Sequence, residues 1–217
     1  EQDGQGTYYY LNGSQYVGEW KNSKKEGRGI FLYENGEKYE GDWISNRRDG
    51  YGILLYPEGE KYAGEWKVDK RTGKGKYSFL SGNSYEGDWQ DGKRVGQGVY
   101  TFKNGNKYQG TFLDGRFHGQ GTLMYANGEK YNGDWQDGER TGEGAFTFVN
   151  GNIYEGTLLN GRFHGQGMIT YVDSGKYEGE WQDGRRTGKG SYFSTSGNIY
   201  EGTFLDGIFH GQGILTY

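Results

Sequence analysis

The stretch YEGDWQDGKRVGQGVYTFKNGNK, residues 85–107, decides the fold. Its first five residues alternate apolar or small residues with acidic ones, as a β-strand with one buried face does. Asp91-Gly92 follows, and both residue types tolerate the positive φ of a two-residue hairpin turn. A second strand begins at Gly96-Gln97-Gly98 and carries large side chains at Tyr100 and Phe102. This stretch is therefore predicted to form one β-hairpin.

The same pattern recurs along the chain at a constant interval. Its first tyrosine stands at Tyr16, Tyr39, Tyr62, Tyr85, Tyr108, Tyr131, Tyr154, Tyr177 and Tyr200. A fixed period of this length is typical of repeat architectures, in which neighbouring units bury one another's apolar faces. We predict an all-β fold: an elongated, twisted, single antiparallel meander of 23-residue hairpins. One array of about nine repeats, with partial repeats at both ends, would occupy residues 1–217.

The register of the strands depends on the turns. With a two-residue turn at Asp91-Gly92, Trp89 is predicted to lie opposite Arg94, and Tyr85 opposite Gly98. The second connection is predicted to be a three-residue loop, Asn104-Gly105-Asn106, with Gly105 left-handed. Each ring would then lie over a neighbouring glycine, which would explain how the strands tolerate many of the 44 glycines.

The in-phase Tyr-x-Gly-x-Trp and Gly-x-Gly motifs resemble those of the MORN-repeat family over nearly the whole chain. The resemblance implies an elongated β array that serves protein–protein association near membranes or cytoskeletal structures, including cilia. Phosphoinositide binding has been proposed for that family, and self-association is common in it. The choline- or glucan-binding wall repeats of secreted bacterial proteins are a second, lower-ranked resemblance, since they lack the Gly-x-Gly motif. Ser194 departs from the pattern by replacing the usual ring, which predicts a notch near the C-terminal end.

Composition excludes several classes of protein. The chain has no cysteine, which excludes a disulfide scaffold, and its formal net charge of −4 argues against a nucleic-acid partner. Only 31% of residues are apolar, but 6 Trp, 21 Tyr and 11 Phe provide large buried areas. No apolar run approaches the ~20 residues of a membrane helix, and no signal peptide is visible, so we expect a cytoplasmic protein. Because both ends fall inside a repeat, we expect a longer parent protein.

The repeats fall into two subtypes at the fifth motif position. Where that position is Trp, the residue predicted to lie opposite is basic, as in the pair Trp89 and Arg94. Such pairs are predicted to form cation–π contacts within the hairpin. Where the position is not Trp, the opposing residue is Phe, which predicts an apolar pair. The three apolar pairs are Phe112 with Phe117, Leu158 with Phe163, and Phe204 with Phe209.

The aromatic face of the sheet is the first candidate binding surface. Much of it must be self-packing, but an aromatic face left uncovered on a monomer would form a binding site. A groove that accepts an amphipathic helix of a partner protein is the functional interpretation. The predicted partner groove consists of Tyr39, Trp43, Tyr62, Trp66, Tyr85, Trp89, Tyr108, Phe112, Tyr131 and Trp135.

A ladder of basic residues at one hairpin corner is the second candidate. Structurally, it could stack on tryptophan and pair with nearby acids, which is the favoured interpretation. Functionally, it could bind anionic lipid headgroups or an acidic partner, at ~1 kcal/mol per near-surface charge. The predicted ladder consists of Lys24, Lys25, Arg47, Arg48, Lys70, Arg71, Lys93 and Arg94.

No catalytic residue, metal site or cofactor is predicted. The histidines His118, His164 and His210 occupy equivalent repeat positions, roughly 19 Å apart at four strands per step, too far for one ion. Carboxylates are spread over exposed positions, whereas an acid–base pair needs one unusual desolvated environment.

Two functional hypotheses follow. The first is a non-catalytic scaffold that mediates protein–protein interaction in cytoskeletal, ciliary or membrane-proximal assemblies. The alternative is a module that binds anionic lipids such as phosphoinositides and tethers the protein to membranes. The open strands near Tyr8–Tyr10 and Gly213–Tyr217 are exposed edges, which also predict homo-oligomers through the array ends when flanking sequence is absent.

Overall fold

The structure, a computed structural model, describes residues 2–217, and strands account for all of their regular secondary structure. The strands are β1 Gly4–Tyr9, β2 Gln15–Lys21, β3 Lys24–Leu32, β4 Lys38–Ile44, β5 Arg47–Leu55, β6 Lys61–Lys67, β7 Lys70–Ser78, β8 Ser84–Gln90, β9 Lys93–Thr101, β10 Lys107–Leu113, β11 Arg116–Met124, β12 Lys130–Gln136, β13 Glu139–Thr147, β14 Ile153–Leu159, β15 Arg162–Thr170, β16 Lys176–Gln182, β17 Arg185–Phe193, β18 Ile199–Leu205 and β19 Ile208–Thr216.

The chain divides into two compact units. The first runs up to Asn104 and includes Phe112–Gly115, and the second comprises Gly105–Thr111 and Arg116–Tyr217. The 19 strands are antiparallel, and inside each unit a strand pairs with the next one along the chain, as β2 does with β3 and β15 with β16. The predicted all-β fold of antiparallel hairpins is confirmed.

The first connection of each repeat is the predicted two-residue turn. Asp91 and Gly92 have φ values of 50° and 83°, the two positive values of a type I′ turn. Gly92 N–H also donates to the Arg71 carbonyl oxygen of the preceding repeat at 2.9 Å. Val68 occupies the first turn position of its hairpin at φ 48°, although left-handed backbone is unfavourable for a β-branched residue. The rest of the repeat therefore imposes this turn conformation on Val68, whereas the Asp-Gly turns also favour it locally.

The second connection has the predicted length but lies one residue earlier. Between β7 and β8 the loop is Leu80-Ser81-Gly82, with Gly82 at φ 86°. It is closed by Phe79 N–H, which donates to the Asn83 carbonyl oxygen at 3.0 Å. When a loop moves one residue along the chain, the pairing of its two flanking strands changes by two residues. Tyr77 therefore lies opposite Tyr85. Compared with this equivalent loop, the predicted loop Asn104–Asn106 is placed one residue too late in the chain.

A β-bulge in each Gly-x-Gly motif accounts for the second register error. Gly96 is left-handed at φ 53°, and the register shifts between Gly87 and Asp88. Trp89 does lie opposite Arg94, but Tyr85 lies opposite Tyr100 and not opposite Gly98. The acid before the tryptophan caps this bulge, since Gln97 N–H donates to Asp88 Oδ2 at 2.9 Å. The pattern of alternation did not reveal this role of the acid.

Glycine therefore faces glycine across consecutive strands. In the first unit Gly41 pairs with Gly52, Gly64 with Gly75, and Gly75 with Gly87. A Cβ on Gly64 would lie 2.5 Å from the Gly75 Cα and 2.6 Å from the Tyr62 hydroxyl. The tyrosine ring therefore covers a glycine of its own strand and one of the next strand. The predicted cover of glycine by rings is confirmed, with diagonal partners in place of directly opposed ones.

Candidate binding surfaces

The ten rings of the predicted partner groove lie in the core of the two units. None of them is more than 6% exposed, and the tyrosines among them are fully buried. Trp66 Nε1–H donates to the Gly52 carbonyl oxygen at 3.2 Å, and Tyr62 Oη–H donates to the Glu65 carbonyl oxygen at 3.0 Å. Burial raises the pKa of Tyr131 to about 12. A partner approaching this face meets the side chains that cover these rings, so the predicted groove is not open at its own residues.

The inner residues of the basic ladder provide much of that cover. The Arg71 guanidinium lies 4.7 Å from the ring centroid of Trp89 and 5.6 Å from that of Tyr62. Its Nη2 also donates to the Gly92 carbonyl oxygen at 3.3 Å. Arg71 pairs across the hairpin with Trp66, as predicted, but it stacks on the tryptophan of the following repeat. The cation–π contact predicted within a hairpin is thus corrected to one between repeats.

The same contact links Arg48 to Trp66 and Arg94 to Phe112, at 4.2 Å and 5.9 Å. Lys25 takes this position in the second repeat and lies 4.4 Å from the Trp43 ring and 4.3 Å from the Phe31 ring. Desolvation by burial among these rings lowers the pKa of Lys25 to about 8. These four residues of the ladder are therefore structural cations that hold consecutive repeats together.

In the second unit phenylalanine replaces some of these cations. Phe163 pairs with Leu158 across the hairpin, as predicted. It stacks on Tyr154 at a centroid distance of 3.7 Å and meets Trp181 of the next repeat edge-on at 5.7 Å. Arg186 resumes the cationic role, 5.8 Å from Phe204. Between consecutive repeats, contacts of phenylalanine with tryptophan thus alternate with contacts of arginine with an apolar residue.

The outer residues of the ladder fall into two groups. Lys70 Nζ and Lys93 Nζ form ion pairs with Asp91 and Asp114 at 3.0 and 2.7 Å. Both acids lie in the turn of the next repeat, at the same offset from their partners. At that offset from Lys24 and Arg47 the chain has Ser45 and Val68. Lys24 therefore faces a turn without a carboxylate, whereas the turn that Arg47 faces contains Asp69, which pairs with Arg48 at 3.2 Å.

The face opposite the core carries an apolar cluster. In the first unit Val17, Ile30, Tyr51 and Ile53 surround a cavity of about 400 Å³. Tyr51 is 53% exposed and Val17 is 42% exposed. The signal that could have identified this cluster is the occurrence of apolar residues directly next to the glycines of the repeat motifs.

The second unit has a cavity of about 490 Å³, lined by Tyr171, Arg186, Tyr192 and Phe209 among others. Ser194, where a notch is predicted, does not line this cavity itself but follows Tyr192 by two residues. Ser194 N–H donates to the Asn198 carbonyl oxygen, so the turn itself is normal. Only the ring is missing.

Residues 2–217 also bear on metal binding and on membrane insertion. Within them there is no group of three His, Cys, Asp or Glu residues that could hold a metal ion. His210 lies opposite Thr203, as the repeat pattern predicts. A search for a helix long and apolar enough to cross a membrane found none in the same range.

The family model of the MORN repeat matches ten consecutive segments of the chain. They are residues 1–15, 16–38, 39–61, 62–84, 85–107, 108–130, 131–153, 154–176, 177–199 and 200–217. The chain therefore belongs to the MORN-repeat family, and the resemblance inferred from its motifs is confirmed. No curated protein sequence matches the chain significantly.

Several solved structures show distant similarity. The TCP10 domain of Danio rerio CPAP is 10% identical with a TM-score of 0.36, and the match covers 91% of this chain and 93% of that one. The TCP10c domain of Drosophila melanogaster Sas-4 is 10% identical with a TM-score of 0.29 and 98% coverage of both chains. Virginiamycin B lyase from Staphylococcus aureus is 8% identical with a TM-score of 0.19, covering 93% and 84%. At these scores the similarities carry no conclusion about function.

Proposed function

We propose that this chain is a non-catalytic scaffold that binds a partner protein through the outer face of its first unit. The apolar cluster of Val17, Ile30, Tyr51 and Ile53 supports this proposal. Its side chains project from paired strands, so the surface is preorganised, and it surrounds a cavity large enough for an apolar side chain of a partner. Membership of the MORN-repeat family is consistent with placement in cytoskeletal, ciliary or membrane-proximal assemblies, which we include in the proposal.

The double variant Tyr51→Lys with Ile53→Lys is expected to abolish partner capture without unfolding the array, because both side chains point away from the core. The test compares proteins retained from a lysate by the wild type, by the double variant and by a Val149→Lys control. Val149 is also exposed, at 63%, but lies in the second unit. Partners should be lost from the double variant alone. Retention of every captured protein by the double variant would refute the proposed surface.

A second function, the binding of anionic lipid, is supported by two outer cations: Lys24 faces a turn without an acid, and the acid in the turn that Arg47 faces, Asp69, pairs with Arg48. Lys24→Gln combined with Arg47→Gln is expected to weaken binding to phosphoinositide-containing vesicles by about tenfold or more, at ~1 kcal/mol per charge. Co-sedimentation over a salt series measures this effect.

The matched control is Lys70→Gln combined with Lys93→Gln, which removes the same charge from residues already paired with Asp91 and Asp114. This control should reduce binding much less. Equal losses in the two variants would contradict the assignment to Lys24 and Arg47, and no binding by the wild type would exclude the lipid function.

Self-association of residues 1–217 taken alone, through their edge strands, stays part of the proposal. Every residue of β19 is exposed, including Ile208, Ile214 and Leu215. An exposed apolar edge strand favours pairing with another chain. A mass that stays monomeric as concentration rises in analytical ultracentrifugation would exclude it.

A further inference from the structure

The cavity lined by Tyr192 and Phe209 differs from the corresponding place in the preceding repeats, where a ring follows the second strand. One such ring, Phe148, lies 4.7 Å from Phe146 and 6.0 Å from Phe163 by centroid distance. The equivalent residues two repeats later are Ser194, Tyr192 and Phe209. The rings that Phe148 covers are thus present again, whereas the covering ring is not.

Ser194 does not fill this space with its own side chain. Its hydroxyl accepts a hydrogen bond from Asn198 N–H at 3.0 Å and lies 2.8 Å from the Ser196 hydroxyl, which holds it against the turn. Phe209 and Ile208 line the cavity from the following hairpin. The result is a concave apolar site of about 490 Å³, within the usual size range of ligand pockets.

The charged groups at the cavity restrict what can enter. The Arg186 guanidinium lies 5.9 Å from the Tyr192 ring, and its Nη2 donates to the Gly207 carbonyl oxygen at 2.6 Å. This fixed cation disfavours a lysine or arginine side chain, but its plane can stack on a further aromatic ring. Asp173, also at the cavity, offers a carboxylate that can accept a hydrogen bond from a phenol or an indole.

We propose that this cavity is a docking site for one tyrosine or tryptophan side chain on an extended segment of a partner protein. The incoming ring takes the place that Phe148 takes in its own repeat, in contact with Tyr192 and Phe209. The inference rests on the proposed scaffold function, but it concerns the second unit and residues that the capture experiment leaves unchanged. The aromatic side chain acts as the anchor, since such residues contribute most of the affinity at well-packed sites.

The test is a titration of the whole chain with the peptide acetyl-Gly-Tyr-Gly-amide, followed by the amide NMR resonances of Gly207 and Ile208. Acetyl-Gly-Leu-Gly-amide is the matched peptide. We expect saturable shifts with the tyrosine peptide and binding at least about tenfold weaker with the leucine peptide. Equal shifts with the two peptides, or no shift with either, would overturn the proposal.

Two variants locate the site. Ser194→Phe restores the ring and is expected to weaken binding by about tenfold or more, whereas Ser194→Ala should bind as the wild type does. Phe148→Ser opens the equivalent place two repeats earlier, and the tyrosine peptide should then also shift Gly161 and Arg162. Unchanged binding by Ser194→Phe sinks the proposal. Should that variant not fold, the absence of new shifts in Phe148→Ser sinks it equally.

Discussion

Gly64→Ala is expected to destabilise the first unit by about 3 kcal/mol. The added Cβ would lie 2.5 Å from the Gly75 Cα and 2.6 Å from the Lys74 carbonyl oxygen. Both are backbone atoms of the paired strand, so no side-chain rotation can relieve the clash, and the fully buried Tyr62 ring closes the remaining side. Chemical denaturation followed by tryptophan fluorescence measures the loss.

Gly59→Ala serves as the control for this prediction. Gly59 has φ 105°, and a Cβ there would meet no heavy atom within 4 Å. Its substitution therefore introduces backbone strain without a packing clash, at about 1 kcal/mol. If Gly64→Ala lowers the denaturation midpoint no more than Gly59→Ala does, close strand packing is not the reason for the glycine.

Arg71→Ala is expected to cost the first unit about 2–3 kcal/mol, because it removes stacking on Trp89 and Tyr62 and a hydrogen bond to Gly92. It also uncovers those rings. The adjacent Lys70→Ala removes the same charge but only an exposed ion pair with Asp91, for which less than about 1 kcal/mol is expected. Thermal denaturation of the two variants in parallel measures the difference.

The pair of variants separates the structural residues of the ladder from its exposed ones. If Arg71 stabilises the array, its variant should melt at a clearly lower temperature than the Lys70 variant. Equal melting temperatures for Arg71→Ala and Lys70→Ala would show that the stacking between repeats contributes little. The inner half of the ladder would then be available for ligands.

The period, the hairpins and the first turn could be predicted because each depends on local sequence. Asp91-Gly92 tolerates positive φ at both turn positions, whatever the rest of the fold does. The register could not be predicted, because an alternating pattern assumes regular strands. The left-handed Gly96 forms a bulge that inserts an extra residue into its strand and shifts the pairing. Asp88 caps that bulge, a role that alternation alone does not indicate.

The site predictions were limited because the sequence does not show which side chains cover the aromatic face. The aromatic face was assigned correctly, but alternation does not show that Arg48 and Arg71 lie over its rings. Their stacking partners, Trp66 and Trp89, stand in the repeat that follows each arginine. The pairing of Lys70 with Asp91 was visible in principle, because a base and an acid recur at this same offset from one repeat to the next. The missing acids after Lys24 and Arg47 could have been found in the same way.

The contacts between consecutive repeats also determine how such a chain can change length. In the first unit every complete repeat presents a cation to the next, so loss or duplication of one whole repeat joins compatible neighbours. In the second unit, deletion of residues 131–153 would set Phe117 against Leu158 in place of Trp135. Deletion of residues 131–176 would instead set Phe117 against Trp181 and preserve the pairing. The second unit is therefore expected to gain or lose its hairpins two at a time over evolution.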